Sequence, residues 1–398
     1  MLDPPAARST ARAGATDGFR AIPMNRNYGL DVLRATAILL VVAAHALFFV
    51  IQWVPHSQTV KLISYFCGFW GVELFFVLSG FLIGAIIRNL VAANRPGWLV
   101  SFWIRRWFRT IPCYLLFLSL NIIWYLYQHR SLPEPLLPYF IFAQNLAWEH
   151  PSFFPEAWSL SVEEFFYLLF PICIALLIKS KLRPATAFLT AGAVLLLFST
   201  LLRLKYAMHD SITWDAGIRK VVLCRLDALM YGIFLSYFID RLRSVAVKKR
   251  LFAVGVLFLL GSLSAYFAFD HDRSFFLKNF EFSITSLGFM LIVPYMMVLK
   301  LTESTWVGRL FKKTALWSYS MYLSNFLIYN VIQVVLFSKY FTDHPGYGAL
   351  LCIPLMVGLT YLISAVVFAV YEFPIMNLRE NALAWLKQQP NPPEEITR

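Results

Sequence analysis

Ten apolar runs, each 17 residues or longer, constrain this chain more than any other feature of its sequence. They lie at about 30–53, 64–87, 111–127, 157–178, 185–204, 221–239, 251–269, 281–299, 315–337 and 347–370. At about 1.5 Å of rise per residue, a helix of that length crosses the roughly 30 Å hydrocarbon core of a bilayer. Inside that core each backbone amide needs a partner within its own segment, and a helix supplies it. A chain that is 59% hydrophobic and 14% charged cannot be an ordinary soluble domain. The expected fold class is therefore all-α: a polytopic integral membrane protein of about ten helices with no appended soluble domain. A further run, 136–148, is too short to cross and has prolines around it, so a re-entrant or interfacial piece is expected there.

The net charge of +13 does not point to nucleic acid, because the basic residues fall in short clusters between apolar runs. Clusters of this kind orient a membrane protein. With the N-terminus inside, 24 of the 35 basic residues fall in the tails and inner loops and nine in the outer loops. Both termini are thus expected in the cytoplasm. Residues 1–27 are polar and Ala/Arg-rich, read as a disordered tail, with a second tail over 380–398. The run that follows residue 27 is too long for a secretory signal and has no small-residue cleavage site. Cys67, Cys113, Cys173, Cys224 and Cys352 lie in apolar surroundings without CxxC or metal spacing. No metal site is expected, and neither a Gly-x-Ser-x-Gly elbow nor a Walker loop is present.

Within the apolar runs the ionisable residues stand out, since charge in a bilayer costs several kcal/mol unless it meets a partner or a cavity. In LDVLRATAILLVVAAHA, Arg34 and His45 are eleven residues apart, about 16 Å of rise and three turns plus about 20°. They share a face, one near a membrane edge and one more than halfway across. On these residues alone, a snorkelling arginine and a packing histidine fit equally well. GVELFFVLSGFLIG carries Glu73 amid Gly71, Gly80 and Gly84, small residues that let helices approach closely. SFWIRRWFRTIP sets Arg105, Arg106 and Arg109 at the mouth of the third helix. Positive-inside anchoring explains them, but three guanidiniums within five residues also make a dense anion site.

FFPEAWSLSVEEFFYLLFP puts Ser159, Glu163 and Tyr167 on one helical face, with Glu164 about 100° away. Glu163 is the expected functional carboxylate. CRLDALMYG holds Arg225 and Asp227, two positions apart and so facing differently; pairing with another helix and bracing both fit. WSYSMYLSNFLIY places Ser318, Tyr322, Asn325 and Tyr329 along one polar stripe. In VYEFPIMNLR, Glu372 and Arg379 are positioned to brace one another.

In this order these blocks resemble the membrane-bound acyltransferase 3 family, from residue 28 to about 379. The Arg, ten residues, His pattern looks like its first helix, GVELFFVLSGFLI like its second, and SFWIRRWFRTIP like the block associated with an acyl-CoA donor. One departure stands at Asn325, where the family often has His, which weakens a proton-handling role there. The resemblance implies an O-acyltransferase in a bacterial inner membrane, moving an acyl group, acetyl first, from cytoplasmic acyl-CoA to a hydroxyl of a carbohydrate or glycolipid. It implies His45 as base or acyl carrier, helped by Glu163 or Glu73. Arg34, Arg105, Arg106 and Arg109 would hold the donor, and Arg225, Tyr322 and Asn325 the acceptor. Direct transfer and an acyl-enzyme both remain open. The alternative from another class is a proton-coupled transporter or lipid-linked sugar translocase, which intramembrane His, Arg and Glu also suit.

Overall fold

The computed structural model describes residues 26–93, 97–300 and 303–379; the remainder of the expected tails lies outside them. Among the described residues every regular element is helical. In chain order these are α1 (Tyr28–Trp53), α2 (Gln58–Ala92), α3 (Trp98–His129), α4 (Leu137–Phe140), α5 (Ala157–Lys179), α6 (Pro184–Ala207) and α7 (Val222–Arg225). They continue with α8 (Met230–Phe238), α9 (Val245–Ala268), α10 (Phe275–Met296), α11 (Trp306–Ile332), α12 (Ser338–Tyr340) and α13 (Pro345–Val367). Ten stretches among them are long and apolar enough to cross a membrane. Three are composite: α7 and α8 form one span over Val222–Arg241, α11 and α12 one over Trp306–Tyr340, and α13 continues to Arg379. The protein is a multi-pass membrane protein.

Helix starts follow their capping residues. Asn27 accepts from the Leu30 amide at 3.2 Å, Ser57 from Val60 at 3.3 Å, and Thr305 from Gly308 at 3.0 Å. Helices also outrun the apolar patterns that announce them. The third run begins at residue 111, yet α3 starts at Trp98. Arg105, Arg106 and Arg109 are therefore inside the helix, not at its mouth, and successive residues point about 100° apart.

α1 packs against α2, α11 and α13, and α2 packs against α8 and α10. The glycines act as expected. A methyl on Gly80 would lie 2.0 Å from the Leu229 carbonyl oxygen, and one on Gly232 would lie 2.1 Å from that of Val77. α2 and the α7–α8 span thus meet backbone to backbone, as small residues permit in a bilayer. The 136–148 segment does not cross. α4 is a single turn, after which Gln144 donates to Ser161 Oγ at 2.7 Å and Asn145 to the Trp158 carbonyl at 3.1 Å. Both side chains are buried and tie the segment to the start of α5.

Glu73 and Arg225 meet at the junction of α2, α7 and α10. Arg225 donates to Glu73 Oε1, and Ser286 donates to Oε2 at 2.9 Å. Beside them Arg203 pairs with Asp227 at 2.6 Å, and Arg225 lies 4.2 Å from the Phe282 ring centroid. All four ionised groups are at most 1% exposed. Removing one partner strands the other, a loss of about 3–5 kcal/mol. Arg225→Ala is therefore expected to lower the yield of folded protein and its melting temperature in detergent, while Glu73→Met with Arg225→Met recovers much of both.

Candidate active site

Two cavities lie end to end along α1. The first, about 240 Å³, is walled by Arg34 from α1, Ser79 from α2, Arg106, Arg109 and Thr110 from α3, Ser159, Glu163 and Tyr167 from α5, and Ser318, Tyr319 and Tyr322 from α11. The second, about 190 Å³, is walled by His45 and Phe48 from α1, Ser64 and Tyr65 from α2, Trp158 from α5, Tyr322 and Phe326 from α11, and the connecting residues Glu156, Asp215, Arg219 and Lys220. Val72 and Tyr322 belong to both walls.

Arg106 and Arg109 are three apart on α3 and share a face, which turns both into the first cavity opposite Arg34. Among the described residues none of the three has a carboxylate oxygen within 4.0 Å, and Arg106 Nε is buried without a hydrogen-bond partner. The single carboxylate in that wall, Glu163, is occupied by neutral donors: Ser79 at 3.0 Å and Tyr167 at 2.8 Å. The face expected for Ser159, Glu163 and Tyr167 is the one that lines the cavity. Glu164 is turned away, towards Trp107, Ile111 and Phe165. Arg105 lines neither cavity.

His45 Nδ1 is bonded to Asn325 Oδ1. The Asn325 amide nitrogen donates to two backbone carbonyls one turn earlier on α11, Met321 and Tyr322, each at 2.8 Å. Both amide protons are thereby used, and the oxygen must face the histidine. An amide oxygen only accepts, so Nδ1 carries the proton and Nε2 keeps its lone pair. The partner of His45 is thus a neutral amide. The expectation that Glu73 or Glu163 orients it is corrected: Glu73 lines neither cavity and is locked to Arg225, while Glu163 faces the first cavity. Arg225, expected to touch an acceptor, is likewise confined to its ion pair. Glu372 accepts from Ser320 at 2.7 Å on α11.

Several wall residues escaped the sequence reading. Asp215, Arg219 and Lys220 lie in a connection between two spans, and both cations pair with Asp215, Lys220 at 2.6 Å. Burial alone would raise the Asp215 carboxyl, but Arg219 and Lys220 outweigh it and hold it at about 2. Glu156, three residues before Ser159, extends the functional face of α5 by nearly a turn, and helical spacing carried that signal.

A sequence model of the acyltransferase domain matches residues 27–371, the whole of both cavities included. The chain belongs to this acyltransferase family. A Staphylococcus aureus protein provisionally named an O-acetyltransferase is 24% identical over 382 residues, covering 90% of this chain and 58% of its own length. The Listeria monocytogenes peptidoglycan O-acetyltransferase OatA is 30% identical over 182 residues, covering 42% of this chain and 27% of its own length. The chain therefore spans little more than half the length of the Staphylococcus relative. No solved structure gave a significant match.

The Asn325 contact makes a sharp expectation. Asn325→Ala frees the imidazole to choose either tautomer and to rotate, so acyl transfer per folded molecule is expected to fall about 10- to 10²-fold. Donor affinity, measured by titration with coenzyme A, should remain within about twofold, a difference too small to represent one lost contact.

Proposed function

We propose that this protein is an integral-membrane O-acetyltransferase, taking acetyl from acetyl-CoA at the Arg34 cavity and delivering it to a hydroxyl at the His45 cavity. The observation that carries this reading is the pair of cavities meeting at Val72 and Tyr322, one lined by arginines that have no ion-pair partner among the described residues, the other by an oriented histidine. Coenzyme A carries several phosphates, and a guanidinium can bind two phosphate oxygens at once. Arg34, Arg106 and Arg109 are the groups assigned to it. Arg105, turned away on α3, drops from the donor set.

The acyl end of the donor would thread towards the shared wall, where His45 waits on the far side. There Nε2 accepts the proton of the acceptor hydroxyl as its oxygen attacks the thioester carbonyl. The C–S bond breaks, and the thiolate of coenzyme A leaves with the electron pair. If the acetyl first rests on His45, the same lone pair forms the bond, so either route needs Nδ1 protonated and Nε2 free.

Orientation follows from charge. Three of the nine basic residues counted in outer loops, Arg203, Arg219 and Lys278, are buried, against Arg88 among the described residues of the inner set, so the asymmetry stands. The Arg34 end then faces the cytoplasm, where acyl-CoA is found, and the membrane is the bacterial inner one. The acceptor class is a cell-surface polysaccharide or its lipid-linked precursor, a reading supported by the name of the Listeria relative.

Purified protein in detergent is expected to consume acetyl-CoA and release free coenzyme A, which a transporter would not do. Arg109→Ala removes one charge-assisted contact worth about 1.5–3 kcal/mol, so coenzyme A binding by calorimetry should weaken about 10- to 150-fold. Unchanged affinity would return the arginines to anchoring. His45→Gln keeps a hydrogen-bonding side chain without a titratable nitrogen and should reduce transfer at least about 10²-fold with donor binding intact. Near-normal turnover in that variant would remove His45 from the chemistry.

A further inference from the structure

In the cavity that holds His45, nearly every polar group is already engaged. Ser64 donates to the Ala44 carbonyl at 2.7 Å. The Tyr322 hydroxyl meets Ser159 Oγ at 2.6 Å and the Glu156 carbonyl oxygen at 3.1 Å. Arg219 and Lys220 share Asp215, and the Arg219 guanidinium lies 4.9 Å from the Trp158 ring centroid and 5.6 Å from that of Trp214. Tyr65 is exposed. The exception is the carboxyl group of Glu156. Its residue is 4% exposed, and neither carboxyl oxygen has a hydrogen-bond partner.

A buried carboxyl with no partner costs several kcal/mol, and the mechanism above makes no use of it. Such a group is retained where something else supplies the bond. The Glu156 main-chain carbonyl anchors Tyr322, the residue common to both cavities, so its side chain sits close to the point where acetyl must change hands. Arg219 and Lys220 are both held on Asp215, and among the described residues no cation lies within 4.0 Å of the Glu156 carboxyl.

We propose that Glu156 selects the acceptor: its carboxyl group hydrogen-bonds one hydroxyl of a polyol, a sugar, while His45 Nε2 engages a neighbouring hydroxyl of the same molecule. This rests on the two-cavity reading and adds to it a residue that distinguishes an acceptor with two or more hydroxyls from a simple alcohol. Burial pushes the carboxyl up to about 8, so at neutral pH it holds its proton and both donates and accepts. Glutamine has the same shape and the same two capacities, whereas leucine has neither.

The test compares wild type, Glu156→Gln and Glu156→Leu in detergent, with acetyl-CoA as donor. N,N′-diacetylchitobiose serves as the sugar probe and 1-propanol as the single-hydroxyl control. Leucine is expected to raise KM for the sugar about tenfold, the scale of one lost hydrogen bond. KM for acetyl-CoA and the propanol-dependent rate should stay put, and Gln should remain within about threefold of wild type for the sugar. If Leu does not fold, Glu156→Ala takes its place and reads the same way. An unchanged sugar KM in the Leu or Ala variant overturns the proposal, and so does an equal loss with sugar and propanol, which marks a merely structural residue. Wild type that consumes acetyl-CoA but acetylates chitobiose no better than propanol also overturns it while sparing acyl transfer. Wild type that consumes no acetyl-CoA at all overturns the function on which it rests.

Discussion

An ionised side chain in an apolar slab must be neutralised by a partner, and that requirement sorts the charges of this protein into two kinds. Arg225 with Glu73 and Arg203 with Asp227 are matched one to one, at most 1% exposed, and packed around the Phe282 ring. They tie α2, α6, α7 and α10 together, each charge balanced by an opposite one within the cluster. Arg34, Arg106 and Arg109 are the other kind. They gather around one cavity, and among the described residues none of them has a carboxylate oxygen within 4.0 Å, in a fold that pairs its other deep arginines. The helices brought together by the first set supply the walls lined by the second.

A neutral amide, not a carboxylate, holds the histidine. A carboxylate would stabilise an imidazolium strongly, whereas Asn325 fixes the tautomer by geometry alone, its own two protons being tied to Met321 and Tyr322. The backbone of α11 thereby dictates which nitrogen of a residue on α1 is basic. Such control survives in low dielectric because every amide atom is satisfied.

The spans, the glycine contacts and the shared face of Ser159, Glu163 and Tyr167 were legible in the sequence because they depend on periodicity along one helix. What was not legible depends on pairing between helices. Glu73 looked functional because a mid-helix carboxylate is costly; its partner Arg225 lies 152 positions away, and nothing local announces the match. Asn325 looked like a weakened substitute because its residue type was read without its neighbours. Arg105 was grouped with Arg106 by adjacency, though adjacent helical residues point apart. Glu156 precedes the apolar run, where a lone acidic residue reads as loop, and only its spacing to Ser159 hints that it continues the face of α5.

The shared wall at Val72 and Tyr322 has a consequence for the membrane as an insulator. A bilayer keeps its ion gradients because roughly 30 Å of hydrocarbon separates two conducting solutions. Where two polar cavities approach one another inside this protein, that insulation thins locally to a pair of side chains. Tyr322 is held in that partition by its hydrogen bonds to Ser159 and to the Glu156 carbonyl, so the barrier there depends on side-chain bonding as well as on hydrocarbon.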